Sequence, residues 1–391
     1  MIKWIKSIIL LVFLLGGLSS VSAATPVKTS APTPGRLAVN ILQTPTPLLA
    51  GHKYFLVYEL YLTNFEKTPI TLTSLQINGP DKTDVPINFA ESELTTMTHV
   101  AGGTGADPKP LTLQPGITKL VYVWLPYDSF QKLPDSIIQK LSYVSPDKQT
   151  YAVTLDPMTV HKNEPVLISP PLAGDRWLAA NGPSNTSVHR RAGLPVNGYI
   201  YFAQRYAIDF IKIGDNDLSY SGDKSKNQSF YCYGLDALAV SDGTVVAVMD
   251  NIPENIPNSG KLAIAPVTVE NVGGNYVVID IGNGKYAYYA HLIPGSLKVK
   301  AGDQVTRGQP IARVGNSGNS SEPHLHFHVV DKPAPVVAEG VPFAFEEFKI
   351  YQSEVIPDKN ESYKLNISAT PPEHVTAQSV LENTVMQLSF K

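Results

Sequence analysis

The chain has 391 residues, with 31 lysines and arginines against 34 aspartates and glutamates, which gives a net charge of −3. This length suits two or three domains. The balanced charge and the lack of a basic block argue against a nucleic-acid partner. The 28 glycines, the 32 prolines and the recurring short β-branched runs favour a mainly β fold.

The N-terminus predicts a secretory signal peptide over residues 1–23. Lys3 and Lys6 precede an apolar run at 8–15, and small residues end the segment before Ala24. An uncleaved membrane anchor is the alternative, although the run is shorter than the ~20 residues of a membrane span. No later stretch is apolar enough to span a membrane. We therefore expect an exported mature chain, periplasmic or extracellular, without a transmembrane span.

Residues 24–35 are rich in proline, threonine and serine, which predicts a flexible leader. Short strand-like runs such as "KYFLVYELYLTNF" and "ITLTSLQI" then follow between turn signals. They predict an Ig-like β-sandwich over 36–165. The imperfect alternation in "LVYELYLTN" is typical of a strand that is partly covered on both faces. Histidines occur there only singly, so we find no chemical site in this domain.

Residues 177–350 alternate short strands with glycine turns and predict a second β domain, followed by a short strand-bearing tail at 353–391. Within it, "GGNYVVIDIGNGKYAYYAHL" predicts a hairpin that turns at "IGNGK". "PHLHFHV" predicts a strand whose His324, His326 and His328 share one face, while the residues between them point into a core. Three imidazoles on one face suit a zinc site, and a polar solvent-facing strand is the other interpretation.

Several motifs, taken in order, resemble the catalytic core of the lysostaphin/LytM-type zinc peptidases. The resemblance covers 234–330 strongly and 200–215 weakly, and it does not extend to the sandwich. A similarity of "VKAGDQVTRGQPIA" to lipoyl and biotinyl carrier domains is set aside, because the carrier lysine is missing and the histidines stay unexplained. The matching residues are Tyr289 to Leu292, Gly302-Asp303, Gly308-Gln309, Gly315, Ser317-Gly318 and Pro323 to Phe327.

This resemblance implies one Zn²⁺ ion and a role for each histidine. His326 would be a zinc ligand, and His324 would be the general base that takes a proton from water. His291 would be the second catalytic histidine and would donate to the oxyanion of the intermediate. His328 stands where the family more often has glutamate or another polar residue. It either supports the site without binding the metal or lies beyond the reach of the metal, and we favour the second position.

The family supplies its other two zinc ligands from a His-x-x-x-Asp motif, which is incomplete here. Asp209, in "AQRYAIDFI", matches the aspartate, but the residue four positions earlier is Arg205. Arginine stays protonated and cannot bind zinc.

Two replacements for the missing ligand are open. His189, in "SVHRRAGLPV", could reach the site if a hairpin brings it back, or it could be a surface residue or an anion contact. Cys232 and Asp236, in "CYGLD", offer a thiolate and a carboxylate. Their register argues against them, because "GLDALAVSDGTVV" matches the family segment that follows the first motif. We therefore favour His189, Asp209 and His326 as the metal ligands.

The sequence favours an exported zinc metalloendopeptidase that acts on peptidoglycan cross-links or similar peptides. The alternative is a catalytically degenerate LytM-like domain that binds cell-wall peptide or regulates another hydrolase. Arg205 at a ligand position motivates this alternative. Metal content separates the two, because a degenerate site would hold zinc poorly.

Overall fold

The computed structural model describes residues 36–80, 86–101, 107–358, 361 and 363–389. The predicted signal peptide at 1–23 and the leader at 24–35 lie outside the described residues. Among the described residues, no helix has the length and apolar character needed to cross a membrane.

Two antiparallel sheets form the first part of the chain, and apolar side chains fill the space between them. One sheet has the order β1-β3-β8-β6, with β2 beside β3. The other has the order β10-β9-β4-β5, with β11 beside β9 and β7 beside β4. The elements are β1 (Leu37–Asn40), β2 (Pro47–Ala50), β3 (Lys53–Asn64), β4 (Ile70–Asn78), β5 (Ile87–Ala90), α1 (Glu91–Met97), β6 (Thr98–Val100), β7 (Thr112–Leu113), β8 (Thr118–Tyr127), a 3-10 turn (Phe130–Lys132), β9 (Ser136–Val144), β10 (Thr150–Thr154) and β11 (Met158–Thr159).

Strand β3 is buried on both faces, as its imperfect alternation predicts. Leu56 and Leu60 point into the core between the two sheets. Phe55 and Val57, on the opposite face, pack into the core of the following part of the chain. The first sheet therefore shares an apolar contact with the second part of the molecule, and residues 36–391 form one compact unit.

An 11-stranded sheet dominates the second part, in the order β12-β24-β28-β13-β16-β23-β20-β19-β18-β21 with β27 beside β24. All its pairs are antiparallel except β12 with β24. The elements are β12 (Val166–Ile168), β13 (Gly174–Ala180), β14 (Leu194–Val196), β15 (Tyr199–Tyr201), β16 (Ile208–Lys212), a 3-10 turn (Asn227–Ser229), β17 (Asp236–Leu238), β18 (Gly243–Met249), β19 (Asn275–Asp280), β20 (Tyr286–Leu292), β21 (Gln304–Val305), β22 (Pro310–Arg313), β23 (Leu325–Val330), β24 (Phe343–Tyr351), β25 (Ser353–Val355), β26 (Leu365–Ile367), β27 (Glu373–Gln378) and β28 (Val385–Leu388).

The mainly β, antiparallel fold is confirmed. The predicted hairpin is present as β19 and β20, which pair antiparallel around a turn at 281–285. Strand β23 alternates as predicted, with Leu325, Phe327 and Val329 in the core. The segment predicted as a tail supplies β27 and β28 to the large sheet, where β28 lies between β24 and β13. Strands β16, β23 and β20 are adjacent, and their other face carries the candidate site.

Candidate metal centre

Asp209 and His326 lie directly opposite each other on β16 and β23. The carboxylate Oδ1 is 2.9 Å from the imidazole Nδ1. Both side chains are buried, on the sheet face opposite to Phe210 and Phe327, which belong to the core. Period-two alternation on two paired strands is therefore enough to bring these two polar groups together.

His189 reaches the same point from outside the sheet, in the turn that follows β13. Its Nε2 lies 3.3 Å from Oδ2 of Asp209. One candidate ligand atom each from His189, Asp209 and His326 lie within 4.8 Å of one another. The structure thus brings together the three residues that the sequence analysis selected as ligands.

Asn181 orients two of these groups at once. Its backbone carbonyl accepts a hydrogen bond from Nδ1 of His189 at 2.9 Å, and its side-chain amide donates to Oδ2 of Asp209 at 2.9 Å. A carbonyl only accepts, so the proton of neutral His189 sits on Nδ1 and its Nε2 carries a lone pair. That lone pair faces Asp209.

His328 fixes the tautomer of His326. Nε2 of His328 lies 3.1 Å from the carbonyl oxygen of Pro335 and must carry the proton of the neutral ring. Its Nδ1 then accepts from Nε2 of His326, 2.9 Å away. Nδ1 of His326 is left with a lone pair that points at Asp209. His328 therefore contacts a candidate ligand directly, which matches the supporting position considered from the sequence rather than the favoured position without contact to the site.

The three candidate ligands thus present acceptor atoms to one another. In the neutral histidine forms, lone pairs of His189 and His326 converge on the carboxylate of Asp209 with no hydrogen between them. A cation placed among these three groups would satisfy all of the facing lone pairs. Two imidazole nitrogens and one carboxylate oxygen are a donor set that zinc binds, with a fourth position left for water or substrate. The residues present therefore fit the ion that the resemblance implies.

His324 and His291 lie beside this group, with ring centroids 4.8 Å apart. Nδ1 of His324 donates to the carbonyl of Glu322 at 2.8 Å, and its Nε2 is 3.3 Å from Oδ1 of Asp209. Nδ1 of His291 donates to the carbonyl of Ser317 at 2.8 Å. Each neutral ring therefore has an unprotonated Nε2, and both residues line the cavity at the site.

The backbone around His291 is held in an uncommon shape. His291 has φ of +63°, a left-handed conformation that few residues other than glycine adopt. Its amide donates to the carbonyl of Gly273. Gly274 and Gly318 pack so closely that a Cβ on Gly318 would lie 2.2 Å from the amide nitrogen of Gly274. This contact between two chain segments sets the Gly273 and Ser317 carbonyls that hold His291 in place.

Burial and the Asp209 charge divide the ionisable groups into two kinds. Burial lowers the pKa of His189 to about 4, and it holds the pKa values of His291 and His328 well below the ordinary range. Burial also opposes ionisation of His324, but the Asp209 carboxylate outweighs it and raises the pKa of that ring. Burial likewise opposes ionisation of Asp209, but the surrounding histidines outweigh it and hold its pKa well below 3.8. Of these four histidines, His324 is therefore the strongest base.

A cavity of about 320 Å³ opens over the site. Besides the candidate ligands, it is lined by Tyr288, Asn319, Glu322 and Tyr363. The cavity gives the two Nε2 atoms of His324 and His291 access to a bound molecule. A peptide segment is of a size that such a space accommodates.

The other candidates for the missing ligand lie elsewhere. Arg205 points away from the site and pairs with Glu59 and Glu339. The thiol of Cys232 is buried and donates to the carbonyl of Pro323 at 3.0 Å. Asp236 pairs with Lys298 at 2.6 Å. Among the described residues, the only group of three or more potential ligands within reach of one another is His189, Asp209 and His326.

Asn181 was not identified from the sequence, and the role of His328 was left open. Asn181 stands in "AANGP", where Asn-Gly signals a turn, and Asn181 does adopt φ of +48°. That signal marks the turn but not the contacts with His189 and Asp209. His328 was visible as the third histidine of the strand, and the i, i+2 spacing from His326 was the clue that the two rings are neighbours on one face.

Comparison with known proteins supports the class of this site. Residues 229–337 match Peptidase family M23. The chain is 32% identical over 126 residues to "Peptidoglycan DD-endopeptidase ShyA" of Vibrio cholerae serotype O1, covering 32% of this chain and 28% of that protein. It is 36% identical over 97 residues to "Peptidoglycan DD-endopeptidase ShyB" of the same organism, covering 25% and 22%. Among solved structures, the catalytic domain of lysostaphin from Staphylococcus simulans is 21% identical over 42% of this chain and 88% of that one, with a TM-score of 0.23.

The chain therefore contains a Peptidase family M23 domain and is homologous to these endopeptidases. It spans about a quarter of the length of these curated relatives. The matched range includes His291, His324 and His326 but begins after His189 and Asp209. The assignment of His189 and Asp209 as candidate ligands therefore rests on the geometry of this chain and not on the family match.

Proposed function

We propose that this protein is a zinc metalloendopeptidase that hydrolyses peptide bonds in peptidoglycan cross-links. The observation that carries the proposal is the convergence of unprotonated His189 and His326 nitrogens on the Asp209 carboxylate, within reach of one ion. The relatives named as peptidoglycan DD-endopeptidases support the substrate class. The predicted signal peptide at 1–23 supports a site of action outside the cytoplasm, periplasmic or extracellular.

His189, Asp209 and His326 would hold the zinc ion. When bound, zinc lowers the pKa of a water molecule and polarises the scissile carbonyl. The protein contributes the rigidity of this set. His328 and Asn181 fix the orientation of the two imidazoles, and Asn181 also holds one carboxylate oxygen of Asp209.

His324 is the proposed general base. Its Nε2 accepts one proton of the attacking water, whose oxygen forms the new bond to the carbonyl carbon. The same proton then passes from Nε2 to the amine nitrogen as the C–N bond breaks. The raised pKa of His324 suits it to hold the proton between these two steps.

His291 takes a different part from the one the resemblance implies. Its Nδ1 proton is engaged with the Ser317 carbonyl, and burial keeps the ring neutral. The cavity-facing Nε2 therefore has no proton to give to an oxyanion. It is placed to accept a hydrogen bond from the second proton of the attacking water, which orients that water for attack.

Digestion of purified peptidoglycan sacculi tests the function. We expect the zinc-loaded full-length protein to release new amino termini, detected by mass spectrometry of the soluble peptides, and His326→Ala to release none. His374→Ala is the matched control, since His374 lies on the exposed surface away from the site. A protein that binds zinc and sacculi but cleaves no cross-link would instead be the catalytically degenerate binder.

A further inference from the structure

Three buried charges and one half-buried charge form a cluster between the first sheet and the second part of the chain, and Arg190 of this cluster belongs to the turn that bears His189. Glu59, on β3, forms ion pairs with Arg190 and with Arg205. Arg205 also pairs with Glu339 at 2.8 Å. Arg190 further donates to the backbone carbonyl of Tyr58 at 2.9 Å, and its side chain is fully buried. Two positive and two negative charges thus balance inside the molecule, with Glu59 at the centre.

The same turn has further ties to the first sheet. The side-chain amide of Asn185 donates to the carbonyl of Tyr122 on β8 at 2.9 Å. Arg191 donates to the carbonyl of Thr96 at 2.6 Å. On its other side, the turn contacts Asn181 through His189 and Ser187, and Val188 and Ala192 also line the cavity at the site. Contacts with β3, β8 and α1 therefore lie on both sides of His189, the residue of this turn that faces Asp209.

This arrangement has a physical reason. A ligand four residues before Asp209 would come from the segment leading directly into β16. His189 instead lies in a turn without a strand ladder of its own, and such segments are mobile unless other groups hold them. Arg205, at the vacated position, turns to Glu59 with two hydrogen bonds, of 3.1 and 3.0 Å. In this chain the third candidate ligand is thus held against β3 rather than in the segment that leads into β16.

We propose that the first sheet is a structural part of the metal centre, with Glu59 and Arg190 as positioning residues that hold His189 toward Asp209. The proposal rests on the proposed function, since it takes His189 as a ligand. It gives the N-terminal sheets a role beyond that of a spacer. They complete the metal site through contacts that no local motif contains.

Arg190→Met in the full chain is the decisive variant. Glu59 keeps its two hydrogen bonds to Arg205, so no carboxylate is left buried and unpaired. We expect the affinity for Zn²⁺, measured by chelator competition, to fall about 10- to 100-fold, the usual effect of losing a group that orients a ligand. In the metal-free protein, the amides of residues 184–191 should exchange hydrogen faster than in wild type. Arg190→Lys should restore part of the affinity.

Two further variants allow the proposal to be tested if Arg190→Met folds poorly. Asn185→Ala removes a separate, partly buried tie to Tyr122, and it should weaken zinc binding in the same direction. Lys119→Met is the matched control, because Lys119 is a buried cation on β8 that pairs with Asp107 at 2.5 Å, both within the first part of the chain. It should lower the melting temperature without changing zinc affinity.

The outcomes separate this proposal from the proposed function. Wild-type zinc affinity and wild-type exchange at 184–191 in both Arg190→Met and Asn185→Ala, with reduced affinity in His189→Ala, would overturn the positioning role alone. Unchanged affinity in His189→Ala would overturn the ligand assignment and this proposal with it.

Discussion

Asp209 and His326 face each other across the β16–β23 pair, with Oδ1 of one 2.9 Å from Nδ1 of the other. Because strand register fixes this relationship, the pairing of β16 with β23 is enough to bring these two candidate ligands of the chain together. The rest of the candidate metal centre depends on His189, which lies in a turn. The predictions below separate these two contributions.

Replacing His189 should remove most of the affinity for zinc. His189→Ala leaves two protein ligands, so we expect a loss of more than about 100-fold, beyond the 10- to 100-fold effect of groups that only orient ligands. Chelator competition against the folded, metal-free protein measures it.

Cys232→Ala is the control for the alternative ligand set. The Cys232 thiol is buried against the Pro323 carbonyl, and burial raises its pKa to about 12, which disfavours the thiolate that zinc requires. Its zinc affinity should equal that of wild type. A larger loss in Cys232→Ala than in His189→Ala would reverse the assignment.

The His328 ring should matter for metal binding without being a ligand. In His328→Ala, Nε2 of His326 loses its acceptor, so the ring can place its proton on Nδ1, where it would block the metal. We expect roughly a tenfold loss of zinc affinity. ¹⁵N NMR of the imidazoles in metal-free protein should show the changed tautomer. His328→Glu restores an acceptor and should recover affinity. Equal zinc affinities for wild type, His328→Ala and His328→Glu would show that His328 does not contribute to the metal centre.

Catalysis and metal binding should separate at His324 and His291. Neither is among the three proposed ligands, so both alanine variants should retain zinc. The turnover of a cross-linked muropeptide should fall by about 10²- to 10⁴-fold in His324→Ala, because proton transfer is lost. His291→Ala should fall less, since it loses only a hydrogen bond to water. A larger fall in His291→Ala would show that His291, rather than His324, has the principal proton-transfer role.

The parts of the site that were predictable are those encoded locally. Period-two alternation placed His324, His326 and His328 on one face, and the ordered motifs added His291 and Asp209. His189 entered as the nearest histidine, and nothing local showed how it would be held. The contact that holds its turn joins Arg190 to Glu59, 131 residues away in sequence. Such long-range pairing leaves no periodic or motif signal in a single sequence.

A supporting role for His328 was considered but not favoured, for a different reason. Its position was known, but the tautomer of His326 depends on an acceptor for the far nitrogen of His328, the Pro335 carbonyl. That carbonyl lies in the connection after β23, and its direction is a property of the folded loop. Asn181 is similar, because an Asn-Gly turn is visible in sequence while the two groups it orients come from other segments.

Glu59 should make the protein sensitive to acid. Burial opposes its ionisation, but Arg190 and Arg205 outweigh burial and lower its pKa below the ordinary 4.5. A carboxylate with a lowered folded-state pKa contributes stability above pH 4.5, and this contribution disappears as pH falls toward the folded-state pKa. Glu59→Gln should cost about 3–5 kcal/mol at neutral pH, because two buried arginines lose their shared partner. Its unfolding free energy should also fall less steeply below pH 4.5.

Glu339 provides the matched comparison, because burial raises its pKa despite the nearby Arg205. A raised folded-state pKa means that its ionisation costs stability as pH rises through that value. Glu339→Gln should accordingly lower the unfolding free energy less than Glu59→Gln at pH 7. It should leave the fall of the unfolding free energy below pH 4.5 as steep as in wild type. Urea unfolding of metal-free wild type, Glu59→Gln and Glu339→Gln at pH 7 and pH 4 measures both differences. The histidines are common to the three proteins, so their contributions cancel when the unfolding free energies are compared. Parallel pH profiles for Glu59→Gln and wild type would show that Glu59 is not the acid-sensitive group linking the first sheet to the His189 turn.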